Sequence, residues 1–419
     1  MYFWYKLLTY LFYPFANIYL ILRKLKKKEH PVRYKEKLSK ITLEKEKGIL
    51  IWFHVASVGE GLSILPLIEI LEKEEKIKSI LITSITLSSS EVLKKKIGQS
   101  KKTIHQFLPL DIPIFVNKFL NHWQPDLSIF IDSEIWPNLI LKIKIKNIPL
   151  ILINARITKK TFLKWSSVSS FAEKIFKKFD LFIVANKETE KYLKDLGGKN
   201  IKNYGNLKFA KSGFGIDEKL HNNNLKKITD RKIWCAASTH PSEEIFCANA
   251  HSLLKKKYHN ILTIIIPRHT SRVKEIEIEL NKLNLTTCLY SKFEEINNNT
   301  DILLVDAYGE TAKIFQVAKY VFLGGSLINH GGHNPIEPSR LGCKIFHGPS
   351  IENFTEIYKF LKSLKITKQI QNNEDLNQSL VEEFESNKTY SKQIIEQIDS
   401  YGQNVLNNVM NEIKKYINI

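Results

Sequence analysis

From residue 48 onward the chain alternates short β-branched runs with longer stretches of helical period, and few folds accept that pattern. Gly48–Val55, Ser79–Thr83, Leu127–Ile131, Leu150–Asn154 and Leu181–Ala185 read as strands, and Gly61–Glu74 reads as a helix. Lys211–Lys226, polar with two glycines and an asparagine run, reads as a linker. A second series follows it: Lys232–Ala237, Ile261–Ile266, Ile302–Val305, Tyr320–Leu323 and Cys343–Phe346. Such alternation implies βαβ units and parallel sheets with helices on both faces. Two doubly wound domains in tandem are expected, with the carboxyl ends of their strands around one cleft, where ligands of open α/β sheets bind. Asn387–Ile419 reads as one or two helices with apolar faces.

The chemistry should therefore lie in loops that follow strands, and the most unusual loop follows Tyr320–Leu323. It carries Gly324-Gly325, then Gly331-Gly332, then His333-Asn334-Pro335 leading into a helix with Glu337. A strand that empties into such a loop at a helix N-terminus offers backbone N–H groups and a dipole end to a phosphate. A carboxylate in the first helical turn can hold ribose hydroxyls. Three other strand ends of this half carry polar loops: Ala237-Ser238-Thr239-His240-Pro241, Pro267-Arg268-His269 and Tyr308-Gly309-Glu310. Four such loops in register point to a nucleotide site.

In the first half, Ser57 and Glu60 form an S-x-x-E capping box after the first strand, a sufficient structural reason for both. Gly59 and Gly61 flank Glu60 and leave room for a bulky substrate, so the same carboxylate is a candidate general base. Asp132-Ser133-Glu134-Ile135-Trp136-Pro137-Asn138 follows another strand and suits hydroxyl binding or an ordinary cap with a packed tryptophan. Asn154-Ala155-Arg156 and Gly205-Asn206-Leu207-Lys208 offer cations to an anionic group.

Charge agrees with anionic ligands. In 419 residues, 63 Lys+Arg stand against 43 Asp+Glu, a formal charge of +20. Part of that excess reflects a chain rich in Lys, Ile and Asn. Four scattered cysteines form no C-x-x-C pair, which argues for a reducing compartment and against zinc. Histidines 240, 269, 330, 333 and 347 show no H-E-x-x-H or similar ligand spacing, so no metal is expected. A P-loop and a G-x-S-x-G elbow are both absent.

The N-terminus departs from the soluble pattern. Phe3–Leu22 carries one charge, Lys6, and is followed by Arg23-Lys24-Leu25-Lys26-Lys27-Lys28. Twenty helical residues reach ~30 Å, about one hydrocarbon thickness. Pro14, Asn17 and the tyrosines favour an interfacial helix over a clean span. A membrane anchor is expected, its basic cluster against anionic lipid; the alternative is an amphipathic helix packed on its own domain.

HVASVGE (54–60), LPLD (108–111), SEIWPN (133–138), NAR (154–156), GNLKF (205–209), AASTHPSEE (236–244), IPRH (266–269), YGE (308–310) and GGSLINHGGHNPIEP (324–338) occur in order. Together they resemble the 3-deoxy-D-manno-octulosonic acid (Kdo) transferases of Gram-negative lipopolysaccharide synthesis, over essentially the whole chain. The resemblance implies a GT-B glycosyltransferase: two Rossmann-like domains, and inverting, metal-independent transfer of Kdo from CMP-Kdo to the lipid A precursor lipid IVA. It implies Glu60 as the base, Glu134 and Lys208 in transition-state support, and a CMP site made by Pro267, Arg268, Tyr308, Gly309, Glu310, Asn334, Pro335, Ile336 and Glu337. No cofactor and no nucleic-acid partner are implied; anionic inner-membrane lipid is, with the enzyme at the cytoplasmic face of the inner membrane. On this reading residues 1–28 are the anchor and basic cluster, and 29–210 the acceptor-binding domain. Residues 211–228 are the linker, 229–390 the CMP-Kdo-binding domain and 391–419 the C-terminal helices. Base and leaving-group stabiliser then fall on different domains.

Two departures from the family pattern stand out. Thr158, Lys160 and Thr161 stand after NAR, where the family shows a serine and then an Arg-Ser pair, and Ala210 replaces an acid after GNLKF. Lysine does not copy a bidentate arginine, so the resemblance carries no acceptor contact over to Lys160. The in-class rival is another GT-B enzyme acting on a nucleotide sugar, a lipid glycosyltransferase or an epimerase. The non-enzymatic rival, a basic nucleic-acid binder, gives no reason for glycine-rich loops at strand ends.

Overall fold

The computed structural model describes residues 1–41, 43–98, 100–210, 227–228, 230–386 and 392–417. The interval 211–226, expected as a linker, lies outside them. The chain forms two compact units, one of Met1–Gly215 with Tyr401–Ile419 and one of Ile216–Ser400.

The first unit is built on a seven-stranded sheet. Its strands are β1 (Ile49–His54), β2 (Ile77–Ser84), β3 (Thr103–Phe107), β4 (Leu127–Ile131), β5 (Leu150–Ala155), β6 (Leu181–Val184) and β7 (Ile201–Asn203), in the order β3-β2-β1-β4-β5-β6-β7. Every pair is parallel. Side chains alternate across the sheet because the strand period is two. Ile51, Phe53, Ile129, Ile151 and Ile183 enter one core, while Leu50, Trp52, Phe130, Leu152 and Phe182 enter the other. Both faces are therefore covered, and the inner strands read as unbroken apolar runs. The end of the last helix, Lys392–Ile417, completes the first of these cores with Val405, Leu406, Val409, Met410 and Ile413.

The second unit repeats the plan. Strands β8 (Lys232–Thr239), β9 (Ile261–Pro267), β10 (Thr287–Leu289), β11 (Ile302–Leu304), β12 (Tyr320–Leu323), β13 (Lys344–His347) and β14 (Thr367–Gln369) form a parallel sheet in the order β10-β11-β9-β8-β12-β13-β14.

The N-terminal segment is a helix, Tyr2–Phe12, a 3-10 turn at Tyr13–Phe15 and a second helix, Ala16–Leu25. Pro14, which lacks an N–H, accounts for the tight turn. Among the described residues no helix is long and apolar enough to cross a membrane. The segment packs on the first unit: Ala16 and Leu20 are buried with Tyr34, Leu38, Ile112 and Phe115, and the Tyr5 hydroxyl donates to Asp111 Oδ2 at 2.7 Å. Its other face is bare. Trp4, Leu8, Leu11, Phe15, Ile18 and Leu22 are all exposed. Arg23, expected in the basic cluster, is instead committed to the buried Glu29, with Nε 2.7 Å from Oε1.

Candidate active site

In the first unit the candidate residues gather at the carboxyl ends of β1, β4 and β5. Ser57 ends the loop after β1 and caps the helix Val58–Glu72, its Oγ accepting the Glu60 N–H at 3.3 Å. Glu60 reaches back, Oε2 accepting from the Ala56 N–H at 2.7 Å and Oε1 from the Ser57 hydroxyl at 2.8 Å. The cap is thus formed, with Glu60 reaching back to the residue before Ser57, yet each carboxylate oxygen has two lone pairs and keeps one free of these contacts. Burial raises the Glu60 carboxyl above its ordinary range, with the Ala56 and Ser57 bonds opposing and Asp132 and Glu134 adding to the rise. That is the direction a general base operating near neutrality requires. A Cβ added at Gly59 would meet nothing within 4 Å, so the approach there is open.

Glu134 is fixed from two sides. Trp136 Nε1 donates to its Oε2 at 2.8 Å, and His54 Nε2 lies 3.2 Å from the same oxygen. His54 Nδ1 stands 3.0 Å from Thr83 Oγ1, which accepts the Trp52 indole N–H at 2.9 Å. Trp52 donates to Thr83 Oγ1, which also donates to the Phe53 carbonyl at 3.4 Å, and His54 Nδ1 faces both the hydroxyl and the carbonyl of Thr83. Nothing in the loop's sequence marks His54 as a positioning residue, because the contact spans 80 positions.

Asp132 and Asn154 take left-handed conformations, φ +60° and +52°, at the ends of β4 and β5. Asp and Asn are among the few residues other than glycine that tolerate this conformation. Burial pushes the Asp132 carboxyl upward against the pull of Lys208 and then Arg156. The loop bearing Lys208 is held by Asn154, whose Oδ1 accepts the Leu207 N–H at 2.8 Å, and by Asn206, whose Oδ1 accepts the Lys208 N–H at 3.0 Å. Gly402 in the last helix lets that loop approach closely, since a Cβ there would collide with the Phe209 carbonyl. Glu60, Asp132, Glu134, Arg156 and Lys208 are thus one electrostatic group. Lys160 is not part of its described contacts; it lies exposed in the first turn of Lys159–Ser166, which Thr158 caps.

In the second unit the glycine-rich loop differs from the expectation. The N–H groups of Gly325, Ser326 and Leu327 donate to the carboxylate of Glu243, at 2.7, 3.1 and 3.0 Å, and the His240 N–H joins them at 3.0 Å. The Gly331 N–H donates to Ser350 Oγ at 2.9 Å, and the Gly332 N–H to the Gly325 carbonyl at 2.8 Å. Those amides are not offered to a ligand; the fold supplies its own anion to the nest they form. The following helix, Ile336–Arg340, has only five residues, so its dipole is weak. What this edge presents outward is side chains. Arg268, Tyr308, Asn334 and Glu337 are exposed, as is Gly309, while Pro267, Pro335 and Ile336 are buried. Glu310 is braced by the Tyr290 hydroxyl at 2.7 Å and by Lys313 at 3.0 Å.

The histidines, unremarkable by spacing, converge. His240, His330 and His333 place ring nitrogens within 4.8 Å of one another, with the Nε2 atoms of His240 and His333 2.9 Å apart.

Both halves therefore combine a strand-edge cluster of acids and cations with a parallel sheet buried on both faces. The family model for 3-deoxy-D-manno-octulosonic-acid transferase (kdotransferase) matches residues 32–211. A 3-deoxy-D-manno-octulosonic acid transferase of Rickettsia prowazekii is 34% identical over 386 residues, covering 90% of this chain and 82% of the relative. The chain belongs to the Kdo transferase family. A family member from Haemophilus influenzae is 31% identical, over 85% of this chain and 83% of its own. Among solved structures, the UDP-GlcNAc 2-epimerase of Neisseria meningitidis bound to UDP-GlcNAc aligns with a TM-score of 0.55 at 11% identity, covering 88% of this chain and 99% of the epimerase. A glycosyltransferase of Rickettsia africae aligns with a TM-score of 0.55 at 14% identity, over 89% and 99%. At such identities the likeness speaks for the fold, two parallel-sheet α/β units of GT-B type. Membership of the Kdo transferase family is what separates this chain from epimerases of the same fold.

Proposed function

We propose that the chain transfers Kdo from CMP-Kdo to lipid IVA in one inverting displacement that uses no metal, at the cytoplasmic face of the inner membrane. The observation that carries this reading is the Glu60 carboxylate, pinned at the helix start beside an open approach and raised by burial. On the first unit Glu60 takes the proton of the acceptor hydroxyl as its oxygen bonds to the anomeric carbon of Kdo. The bond from that carbon to the phosphate breaks, and its electron pair leaves with CMP. Glu134, oriented by Trp136 and His54, and Lys208 support the charge that develops on the sugar. On the second unit Arg268 receives the phosphate and Glu337 the ribose, with Pro267, Tyr308, Gly309, Glu310, Asn334, Pro335 and Ile336 completing the CMP site. Mass spectrometry of the product formed from CMP-Kdo and the tetraacyl precursor, with EDTA present, tests the reading. No Kdo-bearing product, or loss of product restored by Mg²⁺ or Mn²⁺, would overturn it.

Replacing Arg268 or Glu337 with Ala should weaken CMP binding by roughly 1.5–3 kcal/mol, the range for a hydrogen bond to a charged group. Calorimetric affinities equal to wild type in both variants would place the nucleotide elsewhere.

Membrane attachment is the second part of the proposal. Leu11, Phe15, Ile18 and Leu22 are each more than half exposed and follow a helical period, so they form one outward stripe. Lys24, Lys26, Lys27 and Lys28 are exposed at its end. An interfacial helix with a basic patch supplies two attachment signals. Beside it an apolar groove of about 470 Å³, lined by Trp4, Leu8, Trp165, Val168 and Phe171 with Lys164 at its edge, suits an acyl chain of the acceptor. Changing the four stripe residues to Gln forfeits about 1.5 kcal/mol or more at each. The variant should move from the membrane to the soluble fraction while turnover on detergent-dispersed acceptor stays within a few-fold. Unchanged sedimentation with anionic vesicles would assign attachment to another surface.

A further inference from the structure

We infer that His240, His330 and His333 form a binding site for a late first-row divalent cation of the Zn²⁺ class. His240 opens the loop after β8, and His330 and His333 belong to the loop after β12, so an ion held by all three would tie the two loops together. Their ring centroids lie 4.5, 5.2 and 4.9 Å apart, taking His240–His330, His240–His333 and His330–His333 in turn.

The local backbone makes this convergence possible. Gly325 has φ +64°, and a Cβ there would lie 2.9 Å from His330 Nδ1 and 3.1 Å from His333 Nε2. Any side chain at that position would push the rings apart. Zn–N bonds of 2.0–2.1 Å in a tetrahedron put ligand nitrogens about 3.3 Å from each other. With all three ligand atoms already within 4.8 Å, ring rotations of an ångström or so complete the set. In the absence of an ion the 2.9 Å approach of His240 and His333 is a single hydrogen bond, one ring donating and the other accepting.

Three imidazoles without a carboxylate favour zinc, copper or nickel over the oxygen-seeking magnesium and calcium. Glu243 and Glu244, the acids of the adjacent helix, are committed elsewhere: Glu243 to backbone amides and Glu244 to Arg272 at 2.7 Å. A fourth position is left for water or an anion, as in other three-histidine sites.

The test is Zn²⁺ binding to the tag-free full chain, measured by competition with a chromophoric chelator, with Co²⁺ as a spectroscopic probe. Co²⁺ should give visible bands of imidazole coordination at one equivalent. Loss of an outer hydrogen-bond partner alone costs 10–100-fold in metal affinity, so loss of a ligand in His330→Ala or His333→Gln should cost at least ~10-fold. His330 is exposed, so its variant tests the site without disturbing the core; His259→Ala, at another exposed histidine, should leave affinity unchanged. Absence of stoichiometric binding, or equal affinity in wild type, His330→Ala and His333→Gln, would overturn the inference and leave the cluster a hydrogen-bonded imidazole pair.

Discussion

Glu60→Gln is expected to lose at least ~100-fold in turnover, the lower range for a missing general base, while melting close to wild type. The reason lies in what glutamine keeps. Its carbonyl oxygen can accept the Ala56 N–H, and its amide nitrogen can donate to Ser57 Oγ, so the two contacts of 2.7 and 2.8 Å survive in altered polarity. The proton acceptor does not survive. Glu60→Ala loses the base and the capping contacts together, and should add about 1 kcal/mol of destabilisation to the same kinetic defect. The pair of variants separates the two roles that one carboxylate combines. The pH profile supplies a further check. Burial raises the Glu60 carboxyl, so the basic form is lost as pH falls through a value above that of an ordinary glutamate, and kcat/KM should decline on that limb. In Glu60→Gln that limb should disappear. A variant that loses stability but retains turnover would reduce Glu60 to its cap.

The inner strands were legible in the sequence because both of their faces are buried. Leu127–Ile131 and Tyr320–Leu323 coincide with the expected runs. The strands that no apolar run announced are β3, β7, β10 and β14, which are the four sheet edges. An edge strand is paired on one side only and carries polar residues, as in TIHQF and TKQ, so the pattern fades there. The candidate acids and cations were legible because strand ends are where loops must carry function. Their partners were not. His54 reaches Glu134 across the sheet, and Glu243 reaches Gly325 from 82 positions away, distances that no local pattern encodes. The strand, the glycine-rich loop and the helix start suggest amides that converge on a phosphate. They do converge, but on a side chain. The convergence of the histidines is hidden for the same reason, since His240 lies 93 positions from His333. The N-terminal segment packs one face on its own unit through Ala16 and Leu20 and leaves the other apolar and bare.

Glu243→Ala should destabilise the second unit by at least ~3 kcal/mol, because removing one partner of a buried charged contact leaves the others unpaired. Glu243 is 1% exposed and accepts four backbone N–H groups, those of His240, Gly325, Ser326 and Leu327. Water entering the small void recovers part of the loss. Glutamine is no remedy: its oxygen can accept from two of the donors, but its NH₂ group then faces the others. The loss should fall on the loops before it falls on the sheet, so hydrogen exchange at residues 325–327 is the sharper measurement. Protection there should drop in both variants, with CMP affinity falling alongside as Asn334 and Glu337 lose their support. An anion gives the decisive arm. With the carboxylate gone, the four N–H groups become a vacant nest, and sulfate or inorganic phosphate should raise the melting temperature of Glu243→Ala more than that of wild type. Equal responses to sulfate, with protection unchanged at 325–327, would mean that the loop holds its shape without Glu243. Selective rescue would instead show that the amides read as a ligand site are suited to an anion, and that in this fold the glutamate occupies it.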